Sequence, residues 1–186
     1  MVDKGWAVNM AHESCHIHHS EVGLPVATDL RKTLTLKPNP LNVNNNGAHN
    51  TTSSGLYTGP IFNGLPSGDE GVCKYSDGSE YRGSWRSGRR NGLGTFAFVN
   101  LDEYIGKWVG DRRCGFGRLT SAVSNSYEGN WESNLQHGQG MLHLKDGYRY
   151  VGEFVRGNRH GMGKLLMPNS ENVVYEGLWV DDCKQY

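Results

Sequence analysis

Four groups of residues in this chain have types and spacings that chemistry uses. His12, Cys15, His16, His18 and His19 put nitrogen and sulfur donors close together near the start. A structural zinc needs four converging ligands held in place by their neighbours. No second donor cluster elsewhere completes such a set, so a polar, histidine-rich arm is the expectation, and no metal. Gly-x-Gly pairs such as Gly92-Leu93-Gly94 resemble pieces of a phosphate-binding loop. That loop sits between a strand and a helix, whereas here each pair opens a strand, so close packing explains the glycines. His137 and His160 recur just before a glycine, at a place held elsewhere by Asn91 and Cys114. A general base needs a fixed partner and a poised pKa, and a residue echoed in successive segments reads as a surface group near a turn. Arg89-Arg90 and Arg112-Arg113 belong to a stretch, Ser79 to Arg118, with eight basic residues against four acidic ones. These four arginines are expected on one edge, facing an acidic protein or anionic lipid. At about 1 kcal/mol per cation near an anionic leaflet, lipid binding by that edge alone would be weak. No catalytic residue, cofactor, small-molecule substrate or nucleic-acid partner is assigned.

The elements that carry these residues are copies of one unit. Tyr57, Tyr81, Tyr104, Tyr127, Tyr150 and Tyr175 follow one another at intervals of 23 to 25 residues. Two residues after each stands a glycine, and four after it Ile61, Trp85, Trp108, Trp131, Phe154 or Trp179. Seven after it come Gly64, Gly88, Asp111, Asn134, Gly157 and Asp182, residue types that enter the left-handed region at low cost. Another glycine stands eleven after it in copies one to five. Several columns aligned through this many copies make a repeat. In Tyr127 to Gly147, the alternation of Tyr-x-Gly-x-Trp and of Gly-x-Gly-x-Leu-x-Leu has the period of two that marks strands. Ser133-Asn134 between them suits a tight hairpin turn, so one unit reads as one β-hairpin. The middle glycine of Tyr-x-Gly-x-Trp leaves a trough that a ring from the neighbouring strand or copy fills.

The chain has 186 residues, 26 of them glycine, and equal numbers of acidic and basic side chains. Balanced charge gives no global field to select nucleic acid or membrane. No apolar run approaches a membrane span, the N-terminus lacks a signal-peptide core, and four scattered cysteines read as free thiols of a reducing compartment. Residues 1–53 do not repeat, and the Asn, Pro and Ser of 38–54 have the composition of a linker. The chain therefore divides into an N-terminal arm over 1–53, ordered on a partner, and a repeat domain over 54–186. Copy one, with Pro60 and an inserted residue at Asp69-Glu70, is the expected edge; copy six stops before its second strand.

The pattern Tyr81, Gly83, Trp85, Gly88, Gly92, Gly94, matched almost as well by Tyr127, Gly129, Trp131, His137, Gly138 and Gly140, resembles the MORN repeat, the "membrane occupation and recognition nexus" family. The resemblance implies an all-β fold: an elongated, twisted, single-layer antiparallel sheet of stacked β-hairpins, here of about eleven strands. Such arrays occur in radial-spoke and other axonemal proteins, in basal-body scaffolds, in junctophilins at membrane contacts, and beside the catalytic domains of some lipid kinases and methyltransferases. The expectation is a non-catalytic scaffold subunit of a cytoplasmic, cytoskeletal assembly, of the cilium, flagellar axoneme or basal body. It would bind protein subunits through the arm and an aromatic face formed by Tyr81, Trp85, Tyr104, Trp108, Tyr127, Trp131, Tyr150 and Phe154. The alternatives are a peripheral adaptor on anionic phospholipid, using Arg89, Arg90, Arg112 and Arg113, and a regulatory module separated from its enzyme.

Overall fold

Six two-residue turns fold the chain back on itself, and in each both central residues have positive φ. They are Asn63-Gly64, Ser87-Gly88, Gly110-Asp111, Ser133-Asn134, Arg156-Gly157 and Asp181-Asp182. This is the I′ geometry, whose twist matches that of paired strands. It accounts for the Gly, Asn and Asp found seven residues after each repeat tyrosine. The computed structural model describes residues 32–36 and 55–186, apart from Ala122. Among them there are strands and no helix.

The strands in chain order are β1 (Lys32–Leu36), β2 (Gly55–Gly59), β3 (Ile61–Phe62), β4 (Leu65–Pro66), β5 (Gly68–Tyr75), β6 (Glu80–Arg86), β7 (Arg89–Ala97) and β8 (Glu103–Val109). They continue with β9 (Arg112–Thr120), β10 (Ser126–Glu132), β11 (Leu135–His143), β12 (Arg149–Val155), β13 (Asn158–Leu166), β14 (Val173–Val180) and β15 (Cys183–Lys184). Thirteen form one antiparallel sheet in which, from β5 onward, every strand lies beside its neighbours in sequence. The small β3–β4 pair at the tip of copy one stands apart from it, because Pro60 ends β2.

Two expectations change. Copy one is not the edge of the sheet, since β1 from the N-terminal arm pairs antiparallel with β2 over five residues, Leu34 opposite Tyr57. Copy six begins its second strand, as Cys183 and Lys184 pair with Val180 and Trp179. These additions take the sheet from the expected eleven strands to thirteen. The histidine-rich cluster at 12–19 and the linker over 38–54 lie outside the described residues.

Register explains the two kinds of glycine. Gly71, Gly83, Gly94, Gly106, Gly117, Gly129, Gly140, Gly152, Gly163 and Gly177 lie directly opposite one another from β5 to β14, a single row across the sheet. Each repeat tyrosine from Tyr81 to Tyr150 lies flat over the two glycines of its own hairpin. A Cβ on Gly83 or Gly94 would come under 3.0 Å from Tyr81, and one on Gly106 or Gly117 under 3.0 Å from Tyr104. The trough is thus filled by the tyrosine two residues upstream, not by a ring from the next copy. The other column has a backbone reason. Inside each hairpin the register jumps, from Gly83 opposite Gly94 to Trp85 opposite Arg90, which leaves a bulge on the second strand. Gly92, Gly115, Gly138 and Gly161 sit in these bulges with φ of 105°, 63°, 66° and 66°. The ladder skips Ser84, Lys107, Asn130 and Glu153, and the carbonyls of these four accept the hydroxyls of Tyr81, Tyr104, Tyr127 and Tyr150 at 2.9 to 3.2 Å. Tyrosine is needed there because phenylalanine has no donor to give.

Candidate functional site

The ring row and its lid

The repeat aromatics form one unbroken file. From Tyr57 through Trp85, Tyr81, Trp108, Tyr104, Trp131, Tyr127, Phe154, Tyr150 and Trp179 to Tyr175, each ring meets the next edge to face at 5.0 to 5.5 Å. Every second contact crosses from one copy to the next, so the file is the joint between repeats. Such pairs contribute roughly 0.5–1.5 kcal/mol each beyond the area they bury. Trp108, Trp131 and Trp179 also donate Nε1–H to the carbonyls of Gly94, Gly117 and Gly163 in the preceding copy, at 3.2, 3.0 and 3.3 Å.

The structure corrects the expected use of these rings. Tyr81, Trp85, Tyr104, Trp108, Tyr127, Trp131, Tyr150 and Phe154 are 0 to 4% exposed. They are the core of the molecule, and a partner cannot rest on them without opening it. A single sheet closes over its own aromatic face because the tyrosines lie flat on the glycine row and a lid of cations covers Trp108, Trp131 and Trp179.

That lid corrects the second expectation. Of the four arginines placed on one edge, Arg89 and Arg112 are exposed, but Arg90 and Arg113 are 4% and 9% exposed and point to the other side. Their guanidinium carbons lie over the indoles of Trp108 and Trp131, in the next copy, at 4.3 and 4.2 Å. Arg159 covers Trp179 at 4.5 Å. Each arginine is tied further to the turn of that next copy. Arg90 donates Nε–H to the Asp111 carboxylate at 3.1 Å and Nη2–H to the Asp111 carbonyl. Arg113 donates to the Asn134 carbonyl at 3.0 Å, and its backbone N–H to the Asn134 side chain at 2.8 Å. Arg159 holds Asp182 in the manner of Arg90. Burial lowers the Arg113 pKa to about 10, against the pull of nearby Tyr104, so the π face and carbonyl around it replace water.

This clasp was not anticipated, although the aligned copies contain its signal. Arg90, Arg113 and Arg159 are followed one copy later by Asp111, Asn134 and Asp182, whereas Pro66 and Gln136 are followed by Gly88 and Gly157. The backbone part survives in all five joints: the N–H of Gly88, Asp111, Asn134, Gly157 and Asp182 donates to the carbonyl of Pro66, Arg90, Arg113, Gln136 and Arg159. The side-chain part is expected to couple in a double-mutant cycle of Arg90→Gln and Asp111→Gly, the pairing that copies four and five use. Unfolding in urea should show each single change costing about 2 kcal/mol and the pair costing less than their sum by about 1 kcal/mol. Strict additivity would show that the clasp does not act as a unit.

The buried phenols set the response to alkali. Burial pushes Tyr57 and Tyr150 up to about 12, and raises Tyr75, Tyr81, Tyr104 and Tyr127 still further above the ordinary phenol value. A folded pKa above the unfolded value of about 10 gives stability that is whole below pH 10 and lost as pH rises through the folded values. Arg113 has the opposite sign, but the phenols outnumber it. Melting temperature should therefore hold from pH 7 to 9 and fall steeply above pH 10, with these six phenols ionising only as the chain unfolds. Ionisation of these six near pH 10, followed residue by residue in a molecule that stays folded, would contradict the burial.

His137 and His160 lie just past hairpin turns, 3.4 Å from Glu132 and 3.5 Å from Asp181, and are partly exposed. Among the described residues no group of three or more side chains could hold a metal, and no helix is long and apolar enough to cross a membrane. Cys73 and Cys183 are free thiols. Burial raises the Cys73 thiol to about 11, which leaves it protonated and inert at neutral pH.

Fold and joint together define a tandem β-hairpin repeat protein whose copies interlock through one ring file. The family model of the MORN repeat matches residues 81–103, 104–126, 127–147 and 150–171, and the chain is a MORN-repeat protein. A search of curated proteins finds no match to the chain. Repeats of this family form modules for contact with proteins or membranes and are generally non-catalytic.

Proposed function

We propose that this protein is a non-catalytic scaffold subunit of a large cytoskeletal assembly, with a ciliary or flagellar axoneme or basal body as its place of work. The observation that carries this reading is the continuity of the joints. Ring file, glycine row and backbone bonds run without a break from copy one to copy six, a construction that holds a long surface stiff for several partners at once. Because the rings are sealed inside, partners meet the outer face, the hairpin edges and the N-terminal arm. Affinity capture of the intact tagged protein, followed by sizing, should return it in complexes far larger than one chain, and imaging should place it at cilia or basal bodies. Recovery as a free monomer spread through the cell would overturn the proposal.

The outer face supports a second reading, a peripheral adaptor on anionic phospholipid. Arg82, Arg86, Arg89, Arg112 and Arg118 are exposed there, with Leu93, Ile105 and Phe116 between them. Flotation with anionic vesicles, lost on changing Arg89 and Arg112 to Glu, would support it. Changing Arg90 or Arg113 instead would damage the fold.

A further inference from the structure

The outward face of β6 to β14 is patterned about its middle strand. Two rows of side chains run across it, on the side away from the rings. One row holds Leu93, Lys107 and Phe116 on β7 to β9, and Glu153, Met162 and Leu178 on β12 to β14. The other holds Arg82, Ile105 and Arg118 on β6, β8 and β9, then Glu128 on β10, and Val151 and Glu176 on β12 and β14. Leu93 is 71% exposed, Phe116 51%, Met162 58% and Leu178 47%. In these two rows cations stand on the first half and, apart from Lys164 on β13 between Val151 and Glu176, anions on the second, with apolar side chains on both.

We infer that this face is a self-complementary surface for a second copy of the chain. A two-fold axis along β10 lays each strand of one copy over the strand equally far from β10 in the other, and keeps each row facing itself. Lys107 then meets Glu153, Arg82 meets Glu176, Leu93 meets Met162 and Ile105 meets Val151. A shift by one strand breaks all four pairings, so the pattern selects one axis. An isologous contact of this kind makes a closed dimer. Lys107 and Glu153 have no ion pair within the chain among the described residues, whereas Arg82 and Glu176 are held by Glu80 and Lys164. Lys107–Glu153 is therefore the pair with most to gain. Nine strands about 4.8 Å apart and about 24 Å long offer a face on the order of 1,000 Å², against roughly 800 Å² per partner in an ordinary stable interface. One apposition opposes the dimer: Glu128 meets its own copy at the axis, beside Arg118.

Sedimentation of the full chain between about 1 and 100 µM tests this. A reversible dimer weakened by salt is expected. Lys107→Glu and Glu153→Lys should each raise the dissociation constant about tenfold or more, the double variant should return it to within about threefold, and Glu128→Gln should lower it. Circular dichroism distinguishes a lost interface from a lost fold, and rescue by the double variant requires both an intact fold and this pairing. A monomer at every concentration, including one that binds anionic vesicles through the same side chains, overturns the inference. So does a dimer that neither single change weakens, or that the double change fails to restore. The scaffold reading survives those outcomes, since it rests on the inner joints.

Discussion

Gly117→Ala is expected to lower stability by about 3 kcal/mol, while Gly115→Asn, two residues away, costs less than about 1 kcal/mol. The two glycines answer to different constraints. A Cβ on Gly117 would fall under 3.0 Å from three atoms of the Tyr104 phenol. That ring cannot move aside, because it is fully buried, wedged between Trp108 and Trp131 and bonded through its hydroxyl to the Lys107 carbonyl. Overpacking of this kind costs about 1–3 kcal/mol and sometimes more, and here it strains two joints at once. Gly115 has φ of 63° and nothing closer than 3.4 Å to an added Cβ. Asparagine tolerates that backbone and has room for its side chain. Denaturation in urea measures both differences. Similar costs at the two positions would mean that the tyrosines do not lie on the glycine row.

Trp131→Ala should cost about 4 kcal/mol, the upper range for a large buried aromatic. It removes ring contacts to Tyr104 and Tyr127, the Nε1–H bond to the Gly117 carbonyl, and the surface under the Arg113 guanidinium. The last loss leaves a buried cation with half its shell. Trp131→Phe keeps packing but not the donor and should cost less, about 1–2 kcal/mol, since copy five uses Phe154 at this place. There the preceding copy supplies Gln136 in place of arginine. Arg113→Gln on top of Trp131→Phe should accordingly recover part of the loss. Chemical denaturation followed by circular dichroism distinguishes the variants; equal losses for Ala and Phe would assign the effect to the hydrogen bond alone.

The strands, the turns and the glycine columns were legible in the sequence because they are local. Ser133-Asn134 and its counterparts announce left-handed turns, and Tyr-x-Gly-x-Trp announces a strand with one crowded face. The direction of packing was not legible. An alternating strand says which side chains share a face but not whether they are open to a partner or sealed. Here the flat tyrosines and buried guanidiniums seal them, which turned eight expected contact residues into core. Arg89-Arg90 shows the same limit in two residues: neighbours on a strand point to opposite faces, so one edge could not hold both. The Arg90–Asp111 clasp joins residues 21 positions apart and emerges only when copies are compared in pairs. The arm strand Lys32–Leu36 has no counterpart in the repeat, and its pairing with β2 depends on an edge that copy one leaves open.

Removal of residues 104–126, one complete copy, tests the interlocking account most directly. In the shortened chain Trp131 would follow Tyr81, Arg90 would meet Asn134, and Gly94 would face Gly129, so each lost contact is replaced by one of the same kind. The account predicts a folded protein with a single unfolding transition, native-like near-ultraviolet dichroism and stability lower by the contribution of one repeat. A deletion of half a copy, residues 93–103, removes one strand, puts the remaining columns out of phase and should not fold. Collapse of the first variant, or equal folding of both, would contradict a ribbon held together by identical joints.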